Sequence, residues 1–283
     1  MAQHHLLTVA DQRAATAQLF WLTLHAPELA RAVRPGQYLL LRCAPPGSAD
    51  PLLRRALFVA AAEEQLGQIG LLYAADERGL AWLSRARTGD TLDALGPFGT
   101  PFALDRRTRT LLLVGQGPGL AALLLLARQH SARGGSVALL AGAPEPALLP
   151  PPFLMPADVE YQSVIGRTVQ LLERRPDPAP QPGKKSKGKP TAAPAAQPAV
   201  DSAGLIGWAD QLCTALPSDQ LEPLAEAVRA VKYRWERGFA QTLLEAPLVC
   251  GVGACGVCAV ETRKGQRLCC SDGPVFDLRE VIK

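Results

Sequence analysis

The stretch Leu248-Val-Cys-Gly-Val-Gly-Ala-Cys-Gly-Val-Cys258 constrains this chain more than any other. Cys250, Cys255 and Cys258 follow the C-x4-C-x2-C order of [2Fe–2S] sites, which need one more thiolate downstream. Gly251, Gly253, Ala254 and Gly256 fill most of the gaps between them, leaving the backbone free to wrap tightly and aim N–H groups at sulfur. A zinc site or a set of buried thiols is the competing explanation. Zinc knuckles bring two close pairs of ligands, whereas here one Cys-x-x-Cys follows a cysteine five residues earlier. The spacing favours the cluster.

Cys269 and Cys270 are the candidates for the fourth ligand. Ala259 to Thr262 reads as a strand, Arg263 to Gln266 as a turn and Arg267 to Cys270 as the return strand. Neighbouring strand residues face opposite ways, so only one of the two cysteines should face the cluster. Spacing alone does not choose between them.

The remaining sequence bounds what surrounds this tail. At 283 residues the chain holds two modest domains besides it. A composition 48% hydrophobic and 20% charged is that of a soluble globular protein, and a net charge of +4 gives no support to nucleic-acid binding. Seven cysteines with no even disulfide framework fit a reducing cytoplasm. The start, Met1-Ala-Gln-His-His-Leu-Leu7, lacks the basic and apolar regions of a secretory signal. Thr110 to Ala127 is uncharged and nearly long enough to span a membrane, but Gly115-Gln-Gly-Pro-Gly119 would break such a helix. Strand, turn and helix account for it better, and no membrane association is expected.

Residues 1–105 read as short strands at the spacing of a small β-barrel, including Ala17–Leu24, Gln37–Cys43, Ala56–Ala61, Gly70–Ala74 and Thr91–Leu95. Only Gly79 to Arg87 looks helical. Residues 106–245 alternate differently: strand Thr110–Val114, glycine turn, helix Leu120–His130, then strands Ser136–Ala141 and Val159–Val164. This is the βαβ order of a nucleotide-binding sheet, and Gly115, Gly117 and Gly119 can offer a helix N-terminus to a phosphate. The turn departs from G-x-G-x-x-G, and no carboxylate follows the second strand to hold a ribose. Within this domain, 174–203 is a Pro-, Lys- and Ala-rich insertion too polar to order itself. Asp210–Ala215 is read as a strand and Asp219–Arg237 as a helix capped by Ser218. Cys43 and Cys213 are read as core thiols, and 246–283 forms the cluster subdomain.

Cys270-Ser-Asp-Gly-Pro-Val-Phe276, after the cysteine–glycine stretch, resembles the end of the electron-transfer subunits of dihydroorotate dehydrogenase B. In that family the last cluster cysteine directly precedes such a segment, so the resemblance selects Cys270. Pro35-Gly-Gln-Tyr38 and Gly96-Pro-Phe-Gly-Thr-Pro-Phe102 resemble the family's FAD barrel, which is shared with ferredoxin reductases. The resemblance implies FAD contacts at Arg55, Ala56, Leu57, Phe58, Leu72, Tyr73, Ala74, Gly79 and Leu80, with Arg55 pairing to the diphosphate. Phe58 replaces a hydroxyl residue near the isoalloxazine. Thr214-Ala-Leu-Pro217 replaces a Cys-Gly-Pro turn beside the nicotinamide.

The implied fold is a β-barrel plus an α/β domain: a ferredoxin reductase-like FAD barrel, a nucleotide-binding half and a C-terminal [2Fe–2S] subdomain. The implied route runs from NADH through FAD and the cluster to FMN in a separate dihydroorotate dehydrogenase catalytic subunit. A hetero-oligomer serving pyrimidine biosynthesis follows, and no residue of this chain is assigned substrate chemistry. Two alternatives are a reductase for another partner and a degenerate homologue that keeps the cluster but not NADH oxidation. The altered turn and Phe58 favour the latter; the complete cysteine set opposes it.

Overall fold

The structure, a computed structural model, describes residues 3–173 and 202–282. The first six strands are β1 (Gln3–Ala14), β2 (Leu19–His25), β3 (Tyr38–Leu41), β4 (Arg55–Glu63), β5 (Gln68–Ala74) and β6 (Thr91–Phe98). They close into an antiparallel barrel in the order β1-β2-β5-β4-β3-β6. Strand β6 shows why: Leu92, Ala94, Gly96 and Phe98 are buried while the residues between them are not, a period of two that gives the strand one inner face. Strand β1 has no counterpart in the sequence reading. Only Leu7 and Val9 of its twelve residues are buried, too weak an alternation to read.

Helix α1 (Pro27–Ala32) joins β2 to β3, and α2 (Arg78–Leu83) joins β5 to β6. The helix expected over Gly79–Arg87 is shorter than read. Glu77 begins it by accepting the Gly79 and Leu80 N–H groups, and turn bonds from Arg85 and Ala86 close it.

The second half runs β7 (Thr110–Gln116), α3 (Leu120–Ser131), β8 (Ser136–Ala143), β9 (Val159–Ile165), α4 (Gln170–Glu173), α5 (Ser202–Trp208), β10 (Gln211–Ala215), α6 (Leu221–Val231) and β11 (Ala240–Leu243). The strands form a parallel sheet in the order β11-β10-β7-β8-β9. The chain leaves β7 toward β8 and returns on its other side at β10, so the sheet's topological switch lies between β7 and β10. The expected insertion lies outside the described residues except for Ser202 and Ala203, which open α5. No helix among the described residues is long and apolar enough to cross a membrane.

The helix expected over Asp219–Arg237 is also shorter. A 3-10 turn, Ser218–Gln220, precedes α6, and no side chain caps either element, so Ser218 is not the N-cap. The apolar stripe Leu221, Leu224, Ala225 and Val228 then runs out, because Lys232, Tyr233 and Arg234 follow where a helix would need apolar contacts. The chain turns back instead to bury Trp235.

The tail forms the hairpin β12 (Ala259–Thr262) and β13 (Gly265–Leu268), then β14 (Val275–Asp277) and α7 (Leu278–Val281). Thr262 pairs with Gly265, so the turn is only Arg263-Lys264 and β13 ends at Leu268. Cys269 and Cys270 therefore lie in the following turn, closed by Ser271 and Asp272 N–H groups on the Leu268 carbonyl. The strand-face argument does not apply to them. Strand β14 adds antiparallel to β11 and Thr100 N–H donates to the Gly273 carbonyl, which stitches the tail to both halves. One apolar core runs from Tyr38 and Phe58 in the barrel through Leu111–Val114 to Cys258, Cys270 and Val275.

Candidate functional site

The cysteine loop is shaped by its glycines. Gly251 has φ +75°, and a Cβ there would lie 2.7 Å from the Phe98 ring, so this position needs both the left-handed backbone and the missing side chain. The loop consequently packs closely on Phe98 of β6. Cys255 Sγ stands 3.4 Å from Cys250 Sγ; the Gly253 N–H donates to Cys270 Sγ at 3.1 Å and the Cys270 N–H to Cys258 Sγ at 3.4 Å. Among the described residues, no hydrogen bond joins the Cys269 sulfur to this set.

The thiols occupy two environments. N–H groups of Cys255 and Val252 point at Cys250 and lower its pKa to about 6, the mark of a loop built to hold negative sulfur. Burial, followed by the neighbouring Cys258, pushes Cys270 up to about 12, and the same two causes push Cys269 up to about 12. Cys255 is exposed and Cys250 half-buried, whereas Cys258 and Cys270 are buried against the core. Among the described residues no set of three or more His, Cys, Asp or Glu side chains is gathered to hold a metal ion. The four sulfurs meet instead in pairs and through backbone N–H groups. Thiol pairing, amide donors and a glycine-turned loop together fit an anionic sulfur cluster. Cys43 and Cys213 lie fully buried elsewhere, and burial raises both.

A cavity of about 300 Å³ separates the barrel from the sheet. Its barrel wall comprises Ala56, Leu57 and Phe58 of β4, Leu72, Tyr73 and Ala74 of β5, and Leu80 of α2. The opposite wall includes Gln116, which ends β7, with Gly117 and Pro118 just after it and Pro217 after β10, at the topological switch. An apolar cavity of this kind suits an aromatic ring system. Arg55, Gly79, Gly115 and Gly119 do not line it. Arg55 forms a double hydrogen-bonded ion pair with Glu77, at 2.8 and 2.6 Å, and Gly79 lies directly beneath that guanidinium. This pair, with the two N–H groups Glu77 accepts, holds the Glu77 carboxyl down to about 2. Gly115 is backed by Leu120 and Leu123, and Gly119 by Ala215 and Leu243.

Two carboxylates escaped the sequence reading. Glu77 is one. Glu245 is the other: a Cβ on Gly117 would lie 2.6 Å from its carboxylate oxygen. The residue as a whole is exposed, but its carboxyl group is tucked beneath the glycine turn. That burial raises its pKa, and the Gly119 N–H it accepts opposes the rise. Gln116 completes the floor by accepting from Thr168 and Gln220.

Residues 245–282 match the iron-sulfur cluster binding domain of dihydroorotate dehydrogenase B. The electron transfer subunits of dihydroorotate dehydrogenase B (NAD(+)) from Bacillus caldolyticus and Shouchella clausii (strain KSM-K16) are each 30% identical to this chain, over 98% of it and 97% of the relative. Among solved structures, the NADH-dependent reduced ferredoxin-NADP oxidoreductase superposes with a TM-score of 0.71 at 20% identity, covering 98% of this chain and 90% of that one. Phthalate dioxygenase reductase does so at 0.55 and 15%, covering 94% and 93%. These two share the fold, a barrel followed by an α/β sheet. Identity of 30% maintained across almost the full length of both sequences carries more than fold, and on it the chain belongs to the family of dihydroorotate dehydrogenase B electron transfer subunits.

Proposed function

We propose that this chain carries electrons between NADH and the FMN-containing catalytic subunit that oxidises dihydroorotate, in the cytoplasm and in pyrimidine biosynthesis. FAD supplies, when bound, the conversion of a two-electron hydride into single electrons that an iron–sulfur cluster can accept. The observation carrying this reading is the juxtaposition of an apolar slot and a thiol loop on opposite sides of one barrel edge. Phe58 of the slot and Phe98 beneath Gly251 are separated only by Tyr38.

Cys250, Cys255, Cys258 and Cys270 would hold the cluster. Ala56–Phe58 and Leu72–Ala74 would enclose the flavin ring and exclude water. Arg55 is the residue for the diphosphate, which would take the place of Glu77 on its Nε and Nη2. Gly115, Gly117 and Gly119, at the switch point and leading into α3, would bring a pyridine nucleotide to the same slot. The buried sulfurs face the barrel and the exposed Cys255 faces outward, giving the loop an inner and an outer side. Beside Cys255, Val252 is 65% and Val257 54% exposed, an apolar rim suited to the catalytic subunit.

Mixing the holo chain with a dihydroorotate dehydrogenase B catalytic subunit tests this. Dihydroorotate-dependent reduction of NAD⁺ should appear only with both present, and Val252→Glu/Val257→Glu should raise the concentration of chain needed for half-maximal rate at least tenfold. NAD⁺ reduction at the same rate without the chain would overturn the proposal.

A further inference from the structure

Tyr38 touches both sides of the proposed electron route. On β3 it pairs in register with Phe58 of β4 and Phe98 of β6. Its ring meets Phe58 edge-on at 5.7 Å and stacks on Phe98 at 5.8 Å. Phe58 lines the cavity; Phe98 supports Gly251 of the cysteine loop. The phenol is 0% exposed, and its hydroxyl has no hydrogen-bond partner among the described residues.

A buried hydroxyl left unpaired is costly, and a phenylalanine would fill this space without that cost. An apolar core position therefore does not account for the oxygen. The ring edge beside that hydroxyl packs against Gly99, where a Cβ would lie 3.2 Å from Tyr38 Cε1 and 2.6 Å from Pro274, in the segment that follows Cys270.

We infer that the Tyr38 hydroxyl, which no cysteine sulfur among the described residues satisfies, donates a hydrogen bond to sulfur of the iron–sulfur cluster itself and thereby raises the potential at which that site is reduced. This rests on the cluster assignment proposed above. Taking up one electron adds a negative charge to the site and makes or breaks no covalent bond. A donor aimed at sulfur favours the more negative state, and hydrogen bonds to sulfur are among the levers a protein has on such potentials. Tyr38 is thus a tuning residue that acts on the site without being one of its ligands.

An EPR-monitored redox titration of the full holo chain tests this, with the flavin followed by absorbance in the same experiment. Tyr38→Phe keeps the ring and removes only the hydroxyl. At a fixed potential the ratio of reduced to oxidised cluster should fall about tenfold, ~59 mV for a one-electron couple, with iron content and flavin potential unchanged. A fluorotyrosine placed at 38, a stronger donor, should shift the potential the other way. If Tyr38→Phe fails to assemble its cluster, the fluorotyrosine chain decides alone: an upward shift supports the inference and no shift overturns it. A cluster potential equal in all three chains overturns it, as does a shift confined to the flavin. Absence of a [2Fe–2S] signal from the unsubstituted chain would instead bring down the cluster assignment, and this inference with it.

Discussion

The cysteine loop and the cavity make an instructive pair, because they solve the same problem of holding a redox group from opposite kinds of sequence. The loop is local: its four candidate sulfurs fall within residues 250–270, and its shape depends on glycines placed between them. The cavity is assembled from β2, β4, β5, α2, the start of α3 and the segments at the ends of β7, β8 and β10, spread over residues 19–217. A local site needs only its own turn to be correct. A distributed one needs the barrel and the sheet to meet correctly, so a single altered turn can change its chemistry while every wall remains in place.

The sharpest way to break this comparison is to exchange the adjacent cysteines. Cys270→Ser should abolish the cluster absorbance, while Cys269→Ser should leave its spectrum intact, since the loop's amide and thiol contacts reach Cys270. The reverse result would mean that the turn after β13 presents the other sulfur.

A smaller effect should appear in the distributed site. Pro217, from the turn that the resemblance to the family marks as altered, lines the same cavity as Phe58. Hydride transfer requires donor and acceptor near contact distance, and a displacement of about 1 Å costs on the order of a hundredfold. Stopped-flow mixing of the anaerobic holo chain with NADH should show flavin bleaching slowed by that order relative to a family member carrying Cys-Gly-Pro. Complete bleaching within milliseconds at modest NADH would show that Thr214-Ala-Leu-Pro217 is fully competent.

The smallest effect concerns stability. Glu77 has its carboxyl held down to about 2 by Arg55 and two N–H groups, below its ordinary 4.5. A depressed carboxyl contributes stability that is present above pH 4.5 and lost as pH falls toward 2. In thermal melts of the apo chain, Glu77→Gln should lower the melting temperature at pH 6, and the gap from the parent should narrow by pH 3. A gap that stays constant with pH would remove the ion pair from the account.

The same contrast explains what the sequence disclosed. The closed barrel, the parallel sheet and the glycine turn were legible because alternation and turn residues are local signals. Strand β1 was not, since pairing on both edges holds it in place while only Leu7 and Val9 anchor it inward. The ends of α2 and α6 were misplaced because tertiary demands stop them: a closing turn in one case, burial of Trp235 in the other. Nothing local announces that Glu77 will meet Arg55, 22 residues away, or that Glu245 will lie beneath Gly117. Those are properties of the assembled cavity.

The central claim is that the tail carries a two-iron cluster, and metal analysis with EPR on anaerobically purified full chain tests it most directly. The account predicts brown protein with about two irons and two acid-labile sulfides per chain, and on reduction the EPR signal of a one-electron-reduced [2Fe–2S] centre. Colourless protein containing stoichiometric zinc, with no iron taken up on reconstitution, would contradict it.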